Sequence, residues 1–137
     1  MRIESASLLF ARVLLGLVFL LAGIGKFGNP DGFIAGLDGV PAAPLAGWIA
    51  ILTEIVAPVV LVVGWQARWA ALALFAFTLA ASVIGHPFWA HEGAEAARHQ
   101  GQFLKNLAIA GGMLAIAAKA EIGTLRDLAR RGVPAGG

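Results

Sequence analysis

The sequence predicts an all-α membrane protein, a four-transmembrane-helix bundle with both termini cytoplasmic, forming one domain over residues 1–137. Composition is the first reason. Hydrophobic residues make up 59% of the chain and charged residues 13%, whereas a soluble domain carries about half and about a quarter. The mean hydropathy of +0.82 points the same way. The second reason is pattern: the apolar residues collect in four runs, each close to the roughly 20 residues that cross a bilayer.

The first span is expected near 6–26, ASLLFARVLLGLVFLLAGIGK, with Arg12 as its only charge before the end. Its length, the interrupting arginine and the three similar runs that follow favour a span over a cleaved leader. The second, near 43–64, contains one charge, Glu54. The third, near 67–85, has none after Arg68, and so lacks the polar outer face that a soluble bundle would need. The fourth is a shorter apolar core near 103–119.

The connections differ in character. Gly64 to Arg68 is a tight turn. The connection after the first span is punctuated by Asn29, Pro30, Gly32, Gly36, Gly39, Pro41 and Pro44. Within it Phe33 and Leu37 stand four apart, a spacing that can lay one face of a short helix on the membrane surface. The connection before the fourth span holds HPFW and then the polar EGAEAARHQGQ, either a helical lid or a simple connector. No internal repeat or interdomain linker is evident.

Basic residues set the orientation. Arg2, Arg68, Lys119, Arg126, Arg130 and Arg131 fall on one side of a four-span chain, and the positive-inside rule makes that side cytoplasmic. Asp31, Asp38, Glu92 and Glu95 fall on the other, with Lys26 and Lys105 at its boundary. The expected location is the cell inner membrane.

Composition also excludes chemistry. With no Cys there is no disulfide scaffold, zinc-thiolate site or cysteine nucleophile, and with no Tyr there is no tyrosyl radical. A formal charge of +2, from 10 basic and 8 acidic residues, is too small and scattered for a nucleic-acid surface. No dinucleotide glycine fingerprint is present, so redox work would need a bound organic cofactor. No catalytic residue is assigned, and whether the chain is an enzyme is left open.

Charges inside the spans carry the functional information. Glu54 lies about 11 residues from either end of its run, roughly 15 Å deep at helical rise. An unpaired carboxylate there is costly. Arg12, near the cytoplasmic end of the first span, either snorkels or reaches toward Glu54, giving a buried polar or proton-linked pair of Arg12 and Glu54. Fastening helices together is the competing role. Pro58 cannot donate to the carbonyl of Glu54, which leaves an acceptor and a kink beside the acid.

A second polar set is expected near the outer boundary: Lys26, His86, Lys105 and Asn106, from three spans. Such donors can hold an anionic or carbonyl-bearing headgroup, a quinone oxygen among them, although Lys26 and Lys105 also suit interfacial anchoring. His86, His91 and His99 lie in or near one outer loop with Glu92 and Glu95, but their spacing matches no compact ligand motif, and no metal is assigned. Gly16, Ala22, Gly23, Gly111 and Gly112 permit close helix packing, within the bundle, in a homodimer or against another protein.

In this order RVLLGLVFLLAGIGKF at 12–27, the Glu54 segment, HPFW at 86–89 and FLKNLAIAGG at 103–112 resemble the DoxX family of small bacterial and archaeal membrane proteins. The resemblance covers nearly the whole chain and implies a four-helix membrane fold. Its matching positions are Arg12, Lys26, Glu54, His86, Lys105 and Asn106. Some related proteins are associated with thiosulfate oxidation coupled to quinone, others with membrane oxidoreductase assemblies, and others have no defined activity. Relatives commonly carry a glycine-rich step after the glutamate; here EIVAPVVLVVG departs from it at Ala57 and Pro58.

Two functional expectations follow. One is a membrane subunit, surrounded by lipids, that binds quinone or a lipid-like redox partner for an oxidoreductase supplying the redox centre. The other is a noncatalytic scaffold or stress-response assembly subunit. A transporter ranks third, since four spans are few without oligomerisation.

Overall fold

The computed structural model describes the backbone of residues 3–131 and the side chains of residues 5–120. Every element among them is helical: α1 (Ile3–Gly28), α2 (Pro30–Ala35), α3 (Ala43–Val63), α4 (Ala67–Gly85), a single 3₁₀ turn (Phe88–Ala90) and α5 (Gly93–Arg131). Arg2 and the side chains of Arg126, Arg130 and Arg131, counted above for orientation, lie outside the described residues.

Each long helix buries a narrow stripe. In α1 it runs through Gly16, Phe19 and Gly23, in α3 through Gly47, Ile51, Glu54, Pro58 and Leu61, the alternating three- and four-residue spacing of one helical face. These stripes pack α1 on α3, α3 on α4 and α4 on α5, and α5 touches α1 to close the bundle. The main core joins Phe19, Leu61, Ala71, Leu74, Met113 and Ile116. It sits in the half of the bundle that carries the α3–α4 turn.

The outer faces are apolar, as lipid requires. Leu14, Leu17, Leu21, Val59, Val63, Val83, Leu104 and Leu114 are all exposed. Among the described residues four helices are long and apolar enough to cross a membrane, and α3 with 21 residues spans about 31 Å at helical rise. Exposed tryptophans mark both rims, Trp65 and Trp69 at the α3–α4 turn and Trp48 and Trp89 at the opposite end, where amphipathic rings prefer the headgroup layer.

Local chemistry explains the ends. Gly64 closes α3 at φ +86°, a left-handed conformation that glycine adopts without steric cost, and its N–H returns to the Val60 carbonyl. Asn29 caps α2 by accepting from the Gly32 N–H at 3.1 Å, with Pro30 at the first helical position. Two expectations change. The short helix expected around Phe33 and Leu37 forms but ends at Ala35, before Leu37, and Ile34 and Leu37 pack against Gly47 of α3. The fourth long helix begins at Gly93 and not near residue 103, so the polar stretch is helical, as one of its two readings had it, and forms the first turns of α5. Its Ala, Glu, Arg and Gln residues are good helix formers, a preference that apolar periodicity does not register.

Candidate functional site

Above the core, toward the α2 end, the interior becomes polar. Lys26 continues the inward stripe of α1 one turn beyond Gly23, and Glu54 sits mid-stripe on α3. The Lys26 Nζ donates to both carboxylate oxygens of Glu54, at 2.6 and 2.5 Å. Glu54 is 6% exposed at its side chain and Lys26 27%, so the acid is enclosed and the ammonium reaches toward an opening. Gly23 makes this approach feasible: a Cβ there would stand 2.9 Å from the Cβ of Glu54. The ammonium also lies 5.1 Å from the Phe33 ring centroid, a cation–π contact from α2.

The expected partnership of Arg12 with Glu54 is therefore replaced by Lys26 with Glu54. The cause is register. Gly16 faces Pro58 and Val62, Gly23 faces Glu54 and Ile55, and the Arg12 guanidinium lies beside Gly64. Along α3 that is about ten residues from Glu54, roughly 15 Å at helical rise. The Arg12 Nε is buried and has no hydrogen-bond partner among the described residues.

A cavity of about 470 Å³ opens beside the pair, within the range of small-molecule pockets. Aliphatic and aromatic side chains from α2, the connection after it, α3 and α4 form it, among them Phe33, Leu37, Ile49, Phe77 and Ile84. Lys26 and His86 are the polar residues in its lining. The structure thus brings together two members of the expected polar set. Lys105 and Asn106 do not line this cavity, and Lys105 is exposed on α5.

His86 follows Ser82 and Thr78 at four-residue steps along α4. Both hydroxyls are buried, and each donates back to a helix carbonyl: Thr78 to Leu74 at 2.6 Å and Ser82 to Thr78 at 2.7 Å. Periodicity in the apolar run hides these residues, because small hydroxylated side chains satisfy themselves on their own helix. Beyond His86 the chain folds back. Its Nδ1 lies 3.3 Å from Nδ1 of His99, and the His91 and His99 rings stack at 4.3 Å. Phe88 and Trp89 pack on Phe103 with centroids 5.3 and 6.1 Å away, which holds the 86–91 segment against α5.

Comparisons with known proteins agree with this architecture. Residues 7–87 match the family described as DoxX. The chain is 35% identical to Inner membrane protein YphA of Escherichia coli (strain K12) over 113 residues, 80% of each chain. It is 32% identical to Inner membrane protein YqjF of the same organism over 118 residues, 85% of each. No solved structure matches the chain. Two relatives named as inner membrane proteins, matched over 80% and 85% of their lengths, and four membrane-length helices among the described residues agree on a multi-pass inner-membrane location. The family match covers more than half of the chain and spans α1 through α4, including Lys26, Glu54 and His86, so this protein belongs to the DoxX family.

Proposed function

We propose that this protein is a membrane subunit that holds the carbonyl-bearing headgroup of a quinone, or of a similar lipid-like redox partner, in the cavity between α2, α3 and α4, while a partner oxidoreductase supplies the redox centre. The observation that carries this reading is the lining of the cavity: apolar throughout except for Lys26 and His86. An ammonium has three N–H donors, and Glu54 takes two of them. The third is available to a ligand carbonyl. Glu54 keeps the ammonium positioned, and the apolar walls suit a ring and the start of an isoprenoid tail. Placing the cavity end toward the periplasm, with both termini cytoplasmic, is part of the same proposal and rests on the distribution of Arg and Lys.

The test is quinone content. The intact chain, extracted in its own lipids, should retain quinone, and Lys26→Ala or His86→Ala should lower the retained amount. No retained quinone, together with unchanged membrane redox activity after deletion, would refute the reading.

A noncatalytic scaffold is the second reading, favoured by the way Gly23 and the Lys26–Glu54 pair fasten α1 to α3. It expects deletion to lower the abundance of a partner complex. A partner at normal abundance that has lost activity would count against it.

A further inference from the structure

We propose that His91, Glu95 and His99, with His86 beside them, form a binding site for a borderline divalent transition-metal ion of the zinc class at the outer end of α5. The three principal ligands of this site are separate from the cavity, since His91, Glu95 and His99 do not line it; His86 alone borders both.

The placement is what sequence spacing alone conceals. Glu95 and His99 stand four apart at the start of α5, so both side chains rise from one helical face. His91 precedes the helix and is brought over that face by the 3₁₀ turn, whose Phe88 and Trp89 are anchored on Phe103. One ligand atom from each of the three residues lies within 4.8 Å of the others. The His91 Nδ1 is 3.7 Å from a Glu95 oxygen, and the His86 and His99 Nδ1 atoms are 3.3 Å apart. Two ligands on a tetrahedral ion with bonds near 2.0–2.1 Å stand about 3.3 Å apart, so the His86–His99 gap already fits, and the wider gaps, up to 4.8 Å, close by side-chain rotation.

The donor set selects the ion. Imidazole nitrogens with one carboxylate and no thiolate suit zinc, nickel or copper(II), whereas calcium and magnesium prefer all-oxygen shells. Arg98 engages the other Glu95 oxygen at 3.5 Å, leaving Oε2 turned toward His91, an orienting contact of the kind that supports metal ligands. A metal lies in the plane of each imidazole that binds it, and the His91 and His99 rings are stacked with planes 11° apart. Loading therefore turns one ring out of the stack about χ2, a soft torsion.

The experiment is zinc titration of the untagged, metal-stripped full chain in mild detergent, read by calorimetry and by bound metal after dialysis. Wild type should take up one zinc ion per chain. His99→Ala and Glu95→Gln should each weaken binding about tenfold or more, while Glu92→Gln, one residue from the helix start and outside the cluster, should match wild type. Circular dichroism confirms that each variant keeps its helices. Cobalt(II) on wild type supplies a readout independent of any variant: intense d–d bands of a four- or five-coordinate site are expected, and a spectrum like that of the aqueous ion overturns the site. Absence of saturable zinc uptake, or equal uptake by His99→Ala, overturns it as well. Glu95→Gln, whose side chain contacts His91 and Arg98 and neither Lys26 nor His86, should leave quinone content unchanged, which separates failure here from failure of the cavity reading.

Discussion

Glu54 illustrates how a buried charge is tolerated in a bundle this small. Its carboxylate is enclosed, and both oxygens accept from one ammonium on a neighbouring helix. Removing one partner leaves an uncompensated charge, which costs more than removing both. Lys26→Met should therefore destabilise the protein by about 3 kcal/mol, the lower end of the usual range because Lys26 is partly exposed. The Lys26→Met/Glu54→Leu double variant should recover much of that loss, as read by thermal unfolding in detergent. Equal or greater destabilisation in the double variant would deny that the pair is coupled. Arg12 lies elsewhere, beside Gly64, where any side chain would meet the guanidinium and sit in a strained left-handed backbone. The chemistry of each charged residue was thus legible in the sequence, but its partner was not. Composition marks which residues are costly to bury; register decides whom they meet.

Helix ends and helix pairing were legible to different degrees, for physical reasons. The first three long helices follow apolar runs closely, because lipid rewards unbroken hydrophobicity from rim to rim. The start of α5 escaped because its first turns are polar and owe their helicity to intrinsic preference and to the anchoring of the 3₁₀ turn on Phe103. The α1–α3 register was less visible still. It depends on how α2 and its flanking turns offset the two helices, and Ile34 seated on Gly47 is part of that device. Gly23 tests the pairing directly. Gly23→Ala should destabilise by about 1–3 kcal/mol as the helices are forced apart, and it should loosen the Lys26–Glu54 contact. Gly111→Ala meets open space and should be close to neutral. Similar melting temperatures for the two variants would contradict the packing described. The histidines show the same limit: residues 86, 91 and 99 fall in or near one connection at a spacing that matches no compact ligand motif, and the fold-back of the HPFW segment onto α5 brings their rings into contact.

The described bundle divides into two halves of different chemistry. The half at the α3–α4 turn holds the apolar core, and the half at the α2 end holds the ion pair, the cavity and the histidines. Because the chain has no Cys, single cysteines report its orientation without background labelling. Glu92→Cys should react with an impermeant thiol reagent added outside spheroplasts, and Gln66→Cys only after lysis; the reverse pattern would invert the proposed topology. The central proposal, that the cavity holds a carbonyl headgroup on Lys26 and His86, meets its most direct test in native mass spectrometry of the chain extracted in its surrounding lipids. Quinone retained by wild type and reduced about tenfold or more by Lys26→Ala, the loss expected for a hydrogen bond to a charged donor, is the predicted result. Ordinary lipids alone on wild type across mild extraction conditions, or quinone retained equally by Lys26→Ala and His86→Ala, would contradict it.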